Sequence, residues 1–195
     1  MSFGLLSSVG TQPIIGPVFL DSSKTGSIIQ LDANIKIVWE NKRLTDGTKL
    51  NLGRTDQEQG FVVKPEGTFA ANFKQSGTQI CNDGSERRAG ILNTADIKPH
   101  AGGHTHPKGT TGDIVGLPGP EDGQMAAKTG MPAHVISAKR AYAIEKNADG
   151  AFTVRVVAGE NLSPREKGDI QRSVEKWNLN NGGSGAQCRF IPGSH

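Results

Sequence analysis

Cysteine is scarce in this chain: only Cys81 and Cys188 occur, neither in a CxxC spacing, which excludes a zinc finger built from cysteine within the chain. Whether the two pair with each other is not legible from their positions. Aromatic residues make up 5% and apolar residues 34%, both low, while 26 glycines and 10 prolines point to many turns and short elements rather than a helical bundle. No apolar run approaches the roughly 20 residues of a membrane span, and Met1–Gly10 lacks the basic start and continuous apolar core of a secretory signal. Charge of one sign is also missing: the net charge is +3, and basic residues cluster no further than doublets such as Arg87-Arg88 and Lys139-Arg140, so nucleic acid is not an expected partner. Charged residues at 21% do not indicate disorder, and 195 residues suit one domain with a real core.

No internal repeat of twenty to fifty residues is visible. Met1–Ser23, rich in Gly, Ser and Pro, reads as an extended arm. Ser27–Leu31 and Ile35–Trp39 flank Asp32-Ala33-Asn34 and are expected to form a hairpin; a second hairpin is expected from Gln59–Lys64 and Thr68–Phe73, turned at Pro65-Glu66-Gly67. Pro120, the acids Glu121 and Asp122, and Gly130 as a stop predict a short helix over Pro120–Thr129. Three strands are expected at Ala133–Ser137, Ala141–Lys146 and Phe152–Val157, the last two joined through an Asn147–Gly150 turn. A final helix is expected to start at Ser163-Pro164, an N-cap followed by proline, and to end near Trp177. The order of elements predicts an α+β (α/β) domain with a mixed sheet.

Chemistry concentrates at His104-Thr105-His106-Pro107. On a strand, residues at i and i+2 leave the same face, so both imidazoles can converge on one ion, and Pro107 then helps to end the strand. A catalytic site needs a third ligand and an open position, and Asp122, an acid at the start of the helix that follows, is suitably placed. His100 is a candidate to support a ligand or face a substrate, although a single histidine there also suits an ordinary loop. His134, on an apolar strand, reads as packed rather than catalytic.

The glycine-rich approach Ala101-Gly-Gly103, the HxHP motif and the Gly119-Pro-Glu-Asp122 segment together resemble the signature of JAMM (JAB/MPN) metallopeptidases: a distant Glu, then HxHP, a loop, and SxxD. The resemblance covers roughly Glu58 to Val157 and is nearest to JAMM-like domains of bacterial toxins, effectors and phage-associated proteins. It implies a JAB/MPN-like mixed sheet flanked by helices, with cytidine-deaminase-like layering. It also implies Zn2+ held by His104, His106 and Asp122, and a glutamate acting as general acid and base. That glutamate is expected at Glu58, in Asp56-Gln-Glu-Gln-Gly-Phe-Val-Val63; Glu66 is the rival, although turn chemistry in Lys64-Pro-Glu-Gly67 already accounts for it. A zinc nucleoside deaminase would need His-x-Glu and Pro-Cys-x-x-Cys, and the chain has neither.

Two departures from the family pattern stand out. The loop Lys108–Glu121 is longer than in typical members, at small entropic cost. The family's serine three positions before the aspartate is Gly119 here, so a backbone amide, Thr105, Thr110 or Thr111 would have to support an oxyanion in its place. On this reading residues 1–50 are an arm and hairpin packed on the domain, 51–160 the catalytic core, and 161–195 a C-terminal helix and tail. The implied substrate is a peptide or isopeptide bond, in peptidoglycan or in the tail of a ubiquitin-like protein. The alternative is a JAMM-like interaction module that has lost metal or activity. The toxin-like resemblance further implies synthesis in a bacterial cytoplasm, non-classical export, and an immunity or delivery partner.

Overall fold

The computed structural model describes residues 22–52, 58–64, 67–71, 75–91, 101–106 and 116–192. Its elements, in chain order, are α1 (Ser22–Asn41), β1 (Gly60–Val63), β2 (Phe69–Ala71), β3 (Gln75–Cys81), β4 (Glu86–Ile91), β5 (Ala101–Thr105), α2 (Gln124–Thr129), β6 (Ala133–Ile136), β7 (Arg140–Lys146), β8 (Phe152–Gly159), α3 (Pro164–Asn180) and β9 (Cys188–Pro192). The strands form a mixed six-stranded sheet in the order β2-β1-β5-β6-β7-β8 and a separate three-stranded sheet, β4-β3-β9. The α+β class read from the sequence therefore holds. Within the larger sheet only β5 and β6 run parallel, joined by a crossover that carries α2; its other neighbours are antiparallel.

Both faces of the large sheet are covered, which explains why β1 and β6 are buried at every position instead of alternating. On one face Ile35 and Val38 of α1 pack with Phe61, Val63, Phe69, Ile136 and Ala141. On the other, Ile170 and Trp177 of α3 and Ala126 of α2 pack with Val135, Tyr142, Ile144 and Phe152. The phase of each strand sends successive side chains to opposite cores, as Val135 and Ile136 show.

The first expected hairpin is a correction: residues 22–41 form one 20-residue helix. Leu31, Ile35, Val38 and Trp39 recur at helical spacing and meet the sheet, so burial of that stripe overrides the β preference of the isoleucines and valine. The residues taken for a turn find partners from the helix instead: Asp32 pairs with Arg155 of β8, and Asn34 accepts a hydrogen bond from Gln30 one turn before it. The second hairpin forms as expected, Phe61 opposite Ala71 and Val63 opposite Phe69, with Gly67 at φ 83° closing the turn on Lys64. Pro65 and Glu66 lie outside the described residues.

The helix expected over Pro120–Thr129 is shorter at its start: residues 120–123 are turns, and α2 begins at Gln124 with no acid in its first turn. The strands at 133, 141 and 152 form within a residue or two of their expected bounds. The final helix forms as well, its N-cap Ser163 and Glu166 making a reciprocal capping box before it runs on to Asn180. Cys81 of β3 and Cys188 of β9 stand directly opposite and are joined by a disulfide.

Candidate metal centre

The site is built on β5, which enters between β1 and β6 through Ala101-Gly102-Gly103. A Cβ on Gly103 would stand 2.2 Å from the His134 carbonyl oxygen, and one on Gly102 would stand 2.9 Å from that of Phe61. Glycine is therefore what lets β5 lie this close to both neighbours. His104 sits near the end of the strand and His106 just beyond it, where its N–H donates to the Ile136 carbonyl at 2.9 Å and extends the pairing with β6. The two-residue spacing puts both rings on one face, with their Nε2 atoms 3.0 Å apart.

Thr105, between them, points the other way and has no exposed surface. Its N–H donates to the Gln59 carbonyl and its hydroxyl accepts the Gln59 N–H, both at 2.8 Å. Thr105, a candidate to support an oxyanion, thus holds the segment that carries Glu58. Gln59 also accepts from the Asn51 N–H at 2.6 Å and donates to the Lys49 carbonyl at 3.1 Å, anchoring the 49–51 segment beside it.

Asp122 comes from the turn before α2. Its Oδ1 lies 3.1 Å from His104 Nε2, and its Oδ2 lies 3.2 Å from His106 Nε2. The carboxylate is folded back on its own turn: the Gly119 N–H donates to Oδ2 at 2.7 Å, and the Asp122 N–H donates to the Gly119 carbonyl at 3.2 Å. Glu58, His104 and His106 also offer ligand atoms within 4.8 Å of one another and could hold a metal ion.

Electrostatics reflect this crowding. Burial would raise the Asp122 carboxyl, but His106 and His104 outweigh it and hold the group well below the usual carboxylate range. Burial opposes charge on His104, yet Asp122, with a further contribution from Glu58, raises that imidazole to about 9.

The donor types suit a divalent metal ion. Ligands about 2.0–2.1 Å from a tetrahedral ion stand about 3.3–3.4 Å from one another. Here the two Nε2 atoms stand 3.0 Å apart, while Asp122 meets them through different oxygens, Oδ1 at 3.1 Å and Oδ2 at 3.2 Å. Two imidazole nitrogens and one carboxylate also match the donor chemistry of catalytic zinc sites.

Of the residues singled out from the sequence, Glu58, His104, His106 and Asp122 come together. Gly119 supports Asp122 through its backbone. His100, Thr110, Thr111 and the rival Glu66 lie outside the described residues. His134 is fully buried, and burial outweighs the neighbouring Asp32 and a backbone hydrogen bond at Gly102 to lower it to about 4, so it is packed as a neutral group. Gln59 was not read as part of the site, because nothing in its local pattern announces a partner 46 residues away. No protein-family model, no curated protein and no solved structure matches the chain. Among the described residues, no helix is long and apolar enough to cross a membrane.

Proposed function

We propose that the chain is a zinc-dependent amide hydrolase of the JAMM type, with His104, His106 and Asp122 holding the ion and Glu58 moving the proton. One observation carries the reading: His104, His106 and Asp122 meet at 3.0–3.2 Å, with the Glu58 carboxylate within 4.8 Å of the histidine nitrogens. A bound zinc ion supplies Lewis acidity, acidifying water and polarising an amide carbonyl. Glu58 takes a proton from the attacking water and returns it to the departing amine nitrogen. The intervening Thr105–Gln59 clamp keeps that carboxylate in register with the histidines. The Gly119 N–H is committed to Asp122, so this amide does not serve as an oxyanion donor.

The substrate class supported by the resemblance is a peptide or isopeptide bond, and we assign peptidoglycan peptides as the substrate, reached by non-classical export. Elemental analysis after zinc-supplemented purification is expected to show close to one equivalent of zinc, lost in His104→Ala with His106→Ala. Glu58→Gln is expected to keep the zinc and lose hydrolysis, because the amide preserves shape but not the base. Wild type and Glu58→Gln are then incubated with purified peptidoglycan and, separately, with ubiquitin-like conjugates, and fragments are read by mass spectrometry. New amino termini from cell-wall peptides in the wild type alone support the assignment; fragments only from the conjugates overturn the substrate. Bound zinc without cleavage of either moves the reading to a JAMM-like binding module, which the missing serine at Gly119 would explain.

A further inference from the structure

Asp122 reaches the histidines from a turn, not from a strand or helix, and a turn by itself would not hold a carboxylate to within a few tenths of an ångström. What braces it is α3, more than fifty residues further along the chain. Ser173 and Trp177, one helical turn apart and both buried, face the 118–120 segment. The Ser173 hydroxyl donates to the Pro118 carbonyl at 3.2 Å, and the Trp177 indole N–H donates to the Pro120 carbonyl at 3.0 Å. The Pro118 carbonyl belongs to the same peptide plane as the Gly119 N–H that donates to Asp122 Oδ2. Ser173 therefore grips one end of a rigid plane whose other end holds the carboxylate.

Trp177 grips the Pro120 carbonyl and also packs closely against the turn: a Cβ on Gly123 would lie 2.8 Å from the indole Cγ and 2.8 Å from the Gly182 carbonyl oxygen. Beyond α3, the Ser184 N–H donates to Glu121 at 3.3 Å, closing the other side of the same turn. Pro118 and Pro120 have no N–H to give and fixed φ angles, so their carbonyls are the handles the turn offers.

We propose that Ser173 and Trp177 are positioning residues that set the metal affinity of the centre, by locking the Pro118–Gly119 peptide plane and with it the Asp122 carboxylate. The proposal rests on the metal-binding reading above. Outer partners of this kind alter metal affinity by about 10–100-fold when removed. Ser173→Ala deletes one hydroxyl, and Trp177→Phe deletes the indole N–H while keeping an aromatic ring in the core. Ile170→Val, on the same helix and in the same apolar cluster but without a bond to the turn, is the control for lost packing.

Zinc affinity is measured by chelator competition on the full chain, ligand geometry by the visible spectrum of the cobalt-substituted protein, and stability by urea unfolding of the metal-free protein. Expected results are at least tenfold weaker zinc binding and an altered cobalt spectrum for Ser173→Ala and Trp177→Phe, with Ile170→Val matching wild type in both. Wild-type affinity and spectrum in Ser173→Ala, in a protein that binds zinc when unaltered, overturn the proposal and leave the metal reading intact. Equal weakening in Ile170→Val also overturns it, because general destabilisation would then suffice. Failure of the wild type to bind zinc or cobalt overturns the metal reading itself.

Discussion

Replacing Glu166 by Gln tests how the C-terminal helix is fastened to the sheet. All three nitrogens of the Arg140 guanidinium donate hydrogen bonds: Nε to the Glu160 carbonyl at 2.8 Å, one terminal nitrogen to Glu166 at 2.8 Å and Tyr142 at 3.3 Å, and the other to Asn161 at 2.9 Å and Glu166 at 3.0 Å. The Arg140 side chain is 5% exposed and that of Glu166 16%, so the pair is poorly screened. The Arg140 hydrogen bonds, with the Ser163 N–H of the capping box, outweigh burial and hold Glu166 at about 2, below its ordinary 4.5. A depressed carboxylate stabilises the fold fully above its ordinary value, and that contribution is lost as pH falls towards the folded-state value. Each pH unit between the two is worth about 1.4 kcal/mol, so Glu166 contributes on the order of 3 kcal/mol at neutral pH, of which about 2 is gone by pH 3. At pH 7 Glu166→Gln is expected to cost about 3–5 kcal/mol, because it leaves a buried guanidinium without its anion. Urea unfolding followed by circular dichroism at half-unit steps from pH 7 to 3 reads both numbers. Neutral, buried His134 adds acid lability of its own, but equally in both proteins, so it cancels in the difference. The gap between wild type and Glu166→Gln should narrow by about 2 kcal/mol between pH 5.5 and pH 3. A gap of constant size would refute the coupling inferred between Arg140 and Glu166.

In the metal-free protein His104 carries a proton up to about pH 9, and that proton must leave before the ring can bind a cation. Apparent zinc affinity should therefore rise about tenfold per pH unit between pH 6 and 8, and calorimetric titrations giving a flat profile would count against the assignment. Gly119→Ser should be accommodated, since among the described residues its Cβ would meet only Asp122 Oδ2, at 3.7 Å. On the proposed JAMM-type reading, the added hydroxyl should raise amide hydrolysis by roughly tenfold or more, and slower hydrolysis with zinc still bound would argue against a role for that position. Gly103→Ala should cost about 3 kcal/mol or more, because its Cβ would press to 2.2 Å on the His134 carbonyl, a backbone atom that cannot move aside; wild-type unfolding in urea would contradict the close strand packing.

Much of the centre was legible because its signals are local. Two histidines at i and i+2 need only an extended backbone to share a face, and Gly102-Gly103 before them needs only a close neighbour to make sense. Asp122, singled out through motif and spacing, does lie against both histidines, but it stands in a turn and accepts the Gly119 N–H instead of lying in the first turn of a helix. Glu58 was favoured over Glu66 because it leads into β1, and it does lie with the histidines. The shared face of its neighbours turns the Thr105 side chain the other way, where its hydroxyl accepts the Gln59 N–H.

The sequence by itself determined those features whose cause lies within one turn or one strand: the Ser163–Glu166 capping box, the hairpin closed at Gly67, and the shared face of His104 and His106. Tertiary structure decided the rest. Residues 22–41 carry β-branched side chains and turn formers that suit a hairpin, and only burial of Ile35 and Val38 against the sheet makes them a helix. The β4-β3-β9 sheet and the Cys81–Cys188 bond join positions 107 residues apart, and Ser173 and Trp177 brace a turn 55 and 57 residues before them. Backbone dihedrals and side-chain periodicity are properties of a short stretch of chain. Which buried surfaces meet is instead settled by packing the whole domain at once, and no local spacing records it.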